Sequence, residues 1–126
     1  MRSNPAVILF GSDPDGAFVD LASKIRASGC AISEAANLDE VRSALRRHPR
    51  ASIVVYSPGR TDRVEEALSC ASQARRNVPV IVVTDESNFS QYYSVMTNGA
   101  YDYYALTEDS ERIARAVQRA TRMQAA

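Results

Sequence analysis

Three short apolar runs limit what this chain can fold into: Ala6-Val-Ile-Leu-Phe10, Ala51-Ser-Ile-Val-Val-Tyr56 and Val78-Pro-Val-Ile-Val-Val-Thr84. A strand with one face in water alternates apolar with polar residues, and these runs do not. They read as strands covered on both faces, which is the condition of a parallel sheet. Pro5 and Gly11 bound the first, and Pro58-Gly59 stops the second. Parallel neighbours need long crossovers, so each run predicts a helix after it.

The intervening segments supply those helices. Ser12-Asp-Pro-Asp-Gly16 is a turn that can cap a helix whose apolar face is Phe18, Leu21, Ala22 and Ile25, closed by Gly29. Cys30 to Ala35 is a weaker, more polar strand, expected near an edge. Asn37 can cap a helix over Leu38 to Arg47 that buries Leu38, Val41, Ala44 and Leu45. His48-Pro49 ends it, and a cation there suits the helix dipole. Asp62 and Glu65 have the spacing of a capping box for a helix running to Arg76, with Val64, Ala67, Leu68 and Ala71 inward. Phe89, Tyr92, Tyr93 and Met96 mark a shorter helix stopped by Asn98-Gly99. Ala100 to Ala105 is the last strand. Thr107 to Ser110 opens a final helix that buries Ile113, Ala116, Val117 and Ala120.

Strict alternation of five strands and five helices, with right-handed crossovers, predicts an α/β three-layer sandwich. The flavodoxin-like (βα)5 fold, a parallel five-stranded sheet in the order 2-1-3-4-5, is the expected form. The 126 residues suit one domain. The formal net charge of zero argues against a strongly basic nucleic-acid binder and gives no case for an anionic membrane surface. No apolar run approaches a bilayer span, and the N-terminus shows no signal-peptide pattern. Cys30 and Cys70 are far apart, without metal-ligand spacing, and His48 has no cluster around it. Two free cysteines in a cytoplasmic protein are expected.

Two segments carry a resemblance. Val78-Pro-Val-Ile-Val-Val-Thr84 resembles the fourth strand of response-regulator receiver domains (CheY-like), which ends in Ser or Thr. Asn98-Gly-Ala-Tyr-Asp-Tyr-Tyr104 resembles their glycine-alanine turn into an aromatic-bearing fifth strand. The resemblance covers nearly the whole chain and implies two-component signalling. In that family, Mg²⁺-dependent phosphoryl transfer to an aspartate uses an acidic pair after the first strand, the acceptor carboxylate after the third, and a Ser or Thr after the fourth. A lysine after the fifth strand completes the set. Mg²⁺ wants hard oxygen ligands, chiefly carboxylates, phosphate and water.

The departures from that pattern are specific. Aligning Asp13-Pro14 with the family's acid–proline step puts Gly11 and Ser12 at the acidic pair, Tyr56 at the acceptor and Leu106 at the lysine, with Thr107 for the usual proline. Thr84 and the switch-type aromatic, Tyr103, match. The sole lysine, Lys24, lies in the first helix, away from this end of the sheet. A phenol with a pKa near ~10 offers no carboxylate to a metal. The chain is therefore identified as a degenerate, or pseudo-, receiver without Mg²⁺ or any other cofactor. Tyr56 is expected to fill the former phosphate pocket with its hydroxyl on a neighbour, Thr84 being the candidate. Asp13 and Asp15 are weak candidates for a cation site if the first loop shifts by one residue. Ser57 is a hydroxyl with no visible base.

A phosphorylation-independent interaction module is the implied function, regulating an output domain or partner rather than acting as an enzyme. The resemblance implies a protein partner or a homodimer through the fourth helix, fifth strand and fifth helix. There the chain carries Tyr92, Tyr93, Tyr101, Tyr103 and Tyr104, and Tyr103 is expected to pack in the core. Arg112, Arg115, Arg119 and Arg122 line one side of the final helix, after Glu108, Asp109 and Glu111. A C-terminal output domain would make this the N-terminal part of a longer regulator. Neither membrane nor direct nucleic-acid contact is expected. Two other readings stay open: a phosphorelay receiver phosphorylated at Asp13 or Asp15, and a small-ligand sensor on the same fold. The second lacks a phosphate cradle, since Gly11 and Gly16 do not make G-x-G-x-x-G.

Overall fold

The apolar runs form the middle of a single parallel sheet. The structure is a computed structural model that describes residues 6–11, 17–57, 62–74, 78–86, 88–106 and 110–125, with backbone alone at 17, 18, 62, 124 and 125. Its elements are β1 (Ala6–Phe10), α1 (Ala17–Ala27), β2 (Ala31–Ala35), α2 (Leu38–Arg47), β3 (Ser52–Tyr56), α3 (Asp62–Gln73), β4 (Val80–Thr84), α4 (Phe89–Thr97), β5 (Asp102–Ala105) and α5 (Ser110–Ala125). The strands pair in the order β2-β1-β3-β4-β5, all parallel. This is the flavodoxin-like (βα)5 fold that the alternation predicts.

Side chains that alternate along each strand divide the interior into two cores. Val7, Leu9, Val54, Tyr56, Val83 and Tyr104 face α1 and α5. Ile8, Phe10, Val55, Val82 and Tyr103 face α2, α3 and α4. Every residue of β1, β3 and β4 is buried, as continuous apolar runs require. β2 is polar and half-exposed at one edge, which discourages pairing with another chain.

Local chemistry sets the helix ends. The Asn37 side chain accepts from Glu40 N at 3.0 Å, and Glu40 Oε1 accepts from Ala36 N at 2.9 Å, so two donors at the start of α2 are satisfied reciprocally. Gly29, at φ +97°, closes α1 in a conformation open to glycine. The side chains of Phe18 and Asp62 lie outside the described residues.

Four boundaries and faces differ from expectation. α3 closes at Gln73, short of Arg76, because Ala74 N turns back to Ala71 O at 3.2 Å. β4 begins at Val80, since Pro79 has no N–H to give to the ladder. β5 begins at Asp102, because Ala100 N is committed to Val95 O at the end of α4. In α4 itself the buried residue is Val95, with Met96 partly covered, while Phe89 (79%) and Tyr93 (64%) are exposed. A one-sided helix over a small strip of sheet has room for one inward residue, and the aromatics are left outside.

Candidate functional site

The register brings the sequence-predicted residues to one edge. Phe10 pairs with Val55, Tyr56 with Val83, and Thr84 with Ala105. Ser57 N bonds Val83 O at 2.9 Å and Leu106 N bonds Thr84 O at 2.7 Å, so both residues extend the ladder past the strand ends. Gly11, Tyr56, Ser57, Thr84 and Leu106 thus sit together at the carboxyl ends of the strands, where parallel α/β sheets place their chemistry. Ser12, Asp13, Asp15 and Thr107 lie outside the described residues.

Tyr56 is buried, and its hydroxyl donates to Asp85 Oδ1 at 2.5 Å rather than to Thr84. The physical reason for this correction is the two-residue period of a strand. Tyr56 and Val83 point to the α1/α5 side, so Thr84 points to the other face, and Asp85 is the next residue on Tyr56's side. The carboxylate at this end that bonds into the pocket is therefore used to hold a phenol.

One residue at this edge was not legible in the sequence. Arg63, in the first turn of α3, folds back over the Phe10 ring with its guanidinium carbon 5.8 Å from the ring centroid, a cation–π distance. Its Nη1 donates to Tyr56 O at 2.7 Å. A β-carbon at Gly11 would come within 2.9 Å of that same nitrogen and within 2.9 Å of Tyr56 O, and Gly11 has φ +125°. Gly11, which the resemblance aligns with the first of the acidic pair, thus admits no side chain without moving backbone. A guanidinium from the chain itself occupies the gap between the ends of β1 and β3. Among the described residues, no three His, Cys, Asp or Glu side chains come together as a ligand set. Among the described residues, what lies between the ends of β1 and β3 is a glycine, an engaged phenol and a cation, where Mg²⁺ would take carboxylate oxygens.

Ser57 Oγ is fully buried and has no hydrogen-bond partner among the described residues. Lys24 is less remote than its place in the sequence suggests. Its ammonium reaches Ser110 Oγ in the first turn of α5 and pairs with Asp20 Oδ2 at 3.3 Å. Its charge ties α1 to α5.

Tyr103 is buried on the α4 side. Its hydroxyl donates to Gln91 Oε1 at 2.8 Å and accepts from Asn88 N at 3.2 Å, and its ring meets Tyr92 edge-to-face at 5.8 Å. Tyr92, Tyr93 and Tyr101 are exposed, as are Arg112, Arg115, Arg119 and Arg122. Tyr104 is not on this face. It follows Tyr103 by one residue and so turns to the α1/α5 core, where it is 9% exposed and donates to Asp102 Oδ2 at 2.7 Å. Burial, then the hydrogen bond to Asp102 and that group's negative charge, push its phenol up to about 12, against the opposing pull of Arg112 and Arg119. Burial likewise raises the Cys70 thiol, which the neighbouring Arg42 partly offsets. No described helix is long and apolar enough to cross a membrane.

No protein-family model matches the sequence, and no curated protein is similar to it. Solved structures match it throughout. A response regulator receiver protein from Pseudoalteromonas atlantica superposes with a TM-score of 0.74 at 15% identity, covering 94% of this chain and 98% of that one. The beryllofluoride-activated NtrC4 receiver domain dimer gives 0.77 at 15% identity, covering 95% and 98%. NtrX from Brucella abortus gives 0.74 at 17% identity, covering 98% of this chain and 27% of that longer one. The fold of the chain is that of a receiver domain.

Proposed function

We propose that this chain is a pseudo-receiver: a regulatory domain of two-component type that works by protein interaction without phosphorylation or Mg²⁺. The observation that carries this reading is Arg63. Its guanidinium lies between Gly11 and Tyr56 O, where the family's chemistry calls for a divalent cation held by carboxylates. A fixed internal cation supplies the charge that a metal would bring, and the Tyr56–Asp85 hydrogen bond supplies the contact that would otherwise await a phosphoryl group. With no phosphoryl group to bias it, the equilibrium of the α4–β5 region is set by these contacts or by a partner.

The face offered to that partner is the exposed aromatic side of α4 with Tyr101 and the arginines of α5. Aromatics and arginine are the residues that interfaces favour. The NtrC4 receiver domain forms a dimer, and NtrX is a longer chain; we extend both features to this chain, as self-association through this face and an output domain beyond α5. The domain has no catalytic role in this reading and acts in the cytoplasm.

The test is intact mass after acetyl phosphate with Mg²⁺, together with NMR during a beryllofluoride titration. Neither an adduct nor a shift is expected. An aspartyl phosphate mapped to Asp13 or Asp15 would replace this reading with that of a phosphorelay receiver with displaced chemistry.

A further inference from the structure

In a parallel (βα)5 fold every helix starts at the carboxyl edge of the sheet and ends at the amino edge. Acids in the first turn and bases in the last therefore add up across the molecule instead of cancelling. Here Asp20 opens α1, Asp39 and Glu40 open α2, and Glu111 opens α5, with Glu65 early in α3 and Glu86 just before α4. At the other edge stand Arg26 of α1, Arg46 and Arg47 of α2, Arg50 in the turn after it, and Arg122 of α5, all exposed. The described charges that run against this order are Lys24, which pairs with Asp20 and reaches the start of α5, Arg42, which pairs with Asp39, and Asp102, Arg63 and Arg112. Asp102 accepts from Tyr103 N and the Tyr104 hydroxyl, Arg63 is bound to Tyr56 O, and Arg112 lies near the Tyr104 phenol. The described charges of a chain of zero net charge thus form an acidic end and a basic end.

We infer that the basic, amino-edge end of one copy docks on the acidic, carboxyl-edge end of a second copy, giving head-to-tail association. The complementarity favours this occupant. Each molecule carries both halves of the match, whereas an extended polyanion attracted to one end would be repelled by the other. Such a contact is heterologous, so it does not close at a dimer unless the rotation forms a ring. It uses the ends of the sheet, not the aromatic side of α4, and so stands apart from the interaction face proposed above.

Sedimentation velocity over a concentration series tests it, at about 0.01 M salt, where charges reach ~30 Å, and at about 1 M, where they reach ~3 Å. The average mass should climb beyond a dimer at low salt and fall at high salt to no more than the dimer that the aromatic face of α4 would hold. Two exposed-charge variants sharpen the test: Arg26→Gln/Arg46→Gln/Arg47→Gln at the basic end and Asp39→Asn/Glu65→Gln/Glu86→Gln at the acidic end. In a Tyr92→Ala/Tyr93→Ala background each alone should stay monomeric, and an equimolar mixture should form a 1:1 species and grow no further. Tyr92→Ala should leave the salt-dependent growth unchanged. A wild-type chain whose average mass is the same at both salts overturns the inference, whether that mass is a monomer's or a dimer's. Heparin binding by a wild-type chain that shows no self-association would overturn it too, and would assign the basic end to an anionic partner.

Discussion

At the scale of single residues, the carboxyl edge of the sheet is built to hold itself. The Ser57 hydroxyl is the exception, since it is buried with no partner among the described residues. Removing it should help: Ser57→Ala is expected to stabilise the fold by about 1 kcal/mol, read from the urea midpoint at unchanged slope. A loss of stability would mean that the hydroxyl is satisfied in solution. Tyr104 makes a prediction about pH. Its folded pKa, about 12, lies above the ordinary ~10 of a phenol, so folding favours the protonated form. The resulting stabilisation is complete below about pH 10 and is lost as pH rises toward about 12. Ultraviolet titration should find one tyrosine ionising well after the exposed ones, and Tyr104→Phe should remove that late step. Of these residue-level features the sequence showed the positions but not the contacts. Tyr56, Thr84 and Leu106 could be placed by counting along strands. Arg63 could not, because an arginine early in an amphipathic helix looks like any surface residue. The signal that could have found it is the brevity of the connection from Tyr56 to Asp62, which forces the first turn of α3 back onto the edge that Tyr56 occupies.

At the scale of elements, the strands were the most legible because their apolar runs are set by burial on both faces, a constraint written in consecutive residues. α4 was the least legible. Its aromatics at 89, 92, 93 and 96 have the spacing of a buried face, yet the helix turns most of that face outward and rests on Val95. Aromatic periodicity alone does not distinguish a core face from an interface, because both demand the same residues at the same spacing. With so little apolar surface beneath it, α4 depends on polar contacts at its start. The Asn88 side chain accepts from Gln91 N at 3.0 Å, and the Tyr103 hydroxyl receives Asn88 N and gives to Gln91. Asn88→Ala should cost about 1 kcal/mol, the usual worth of an N-cap. Tyr103→Phe should speed amide exchange across α4 while leaving β1 and β3 protected. If both regions changed together, α4 would belong to the cooperative core instead of being hinged on these two residues.

At the scale of the molecule, the two cores are unequal in what they restrain. β1, β3 and β4 are buried throughout and covered on both sides, whereas β2 is a half-exposed edge and β5 a short one beside the thinly anchored α4. Local opening free energy follows buried apolar contact, so the structure dictates a gradient and not one uniform stability. The slowest-exchanging amides should be those of Ile53 to Val55 and Ile81 to Val83. Those of Ala31 to Glu34 and Tyr92 to Thr97 should exchange at rates approaching local fraying. The soft region is also the aromatic one, and in the function proposed above it is where a partner acts: by covering Tyr92 and Tyr93 it would gain contact area and order a helix with little buried beneath it. Hydrogen-exchange mass spectrometry of the free chain decides the matter. Protection of α4 equal to that of α5 would mean that the face is rigid before any partner arrives, and that binding there could select no conformation. Faster exchange confined to β2 and α4 would leave a rigid sheet carrying one adjustable helix.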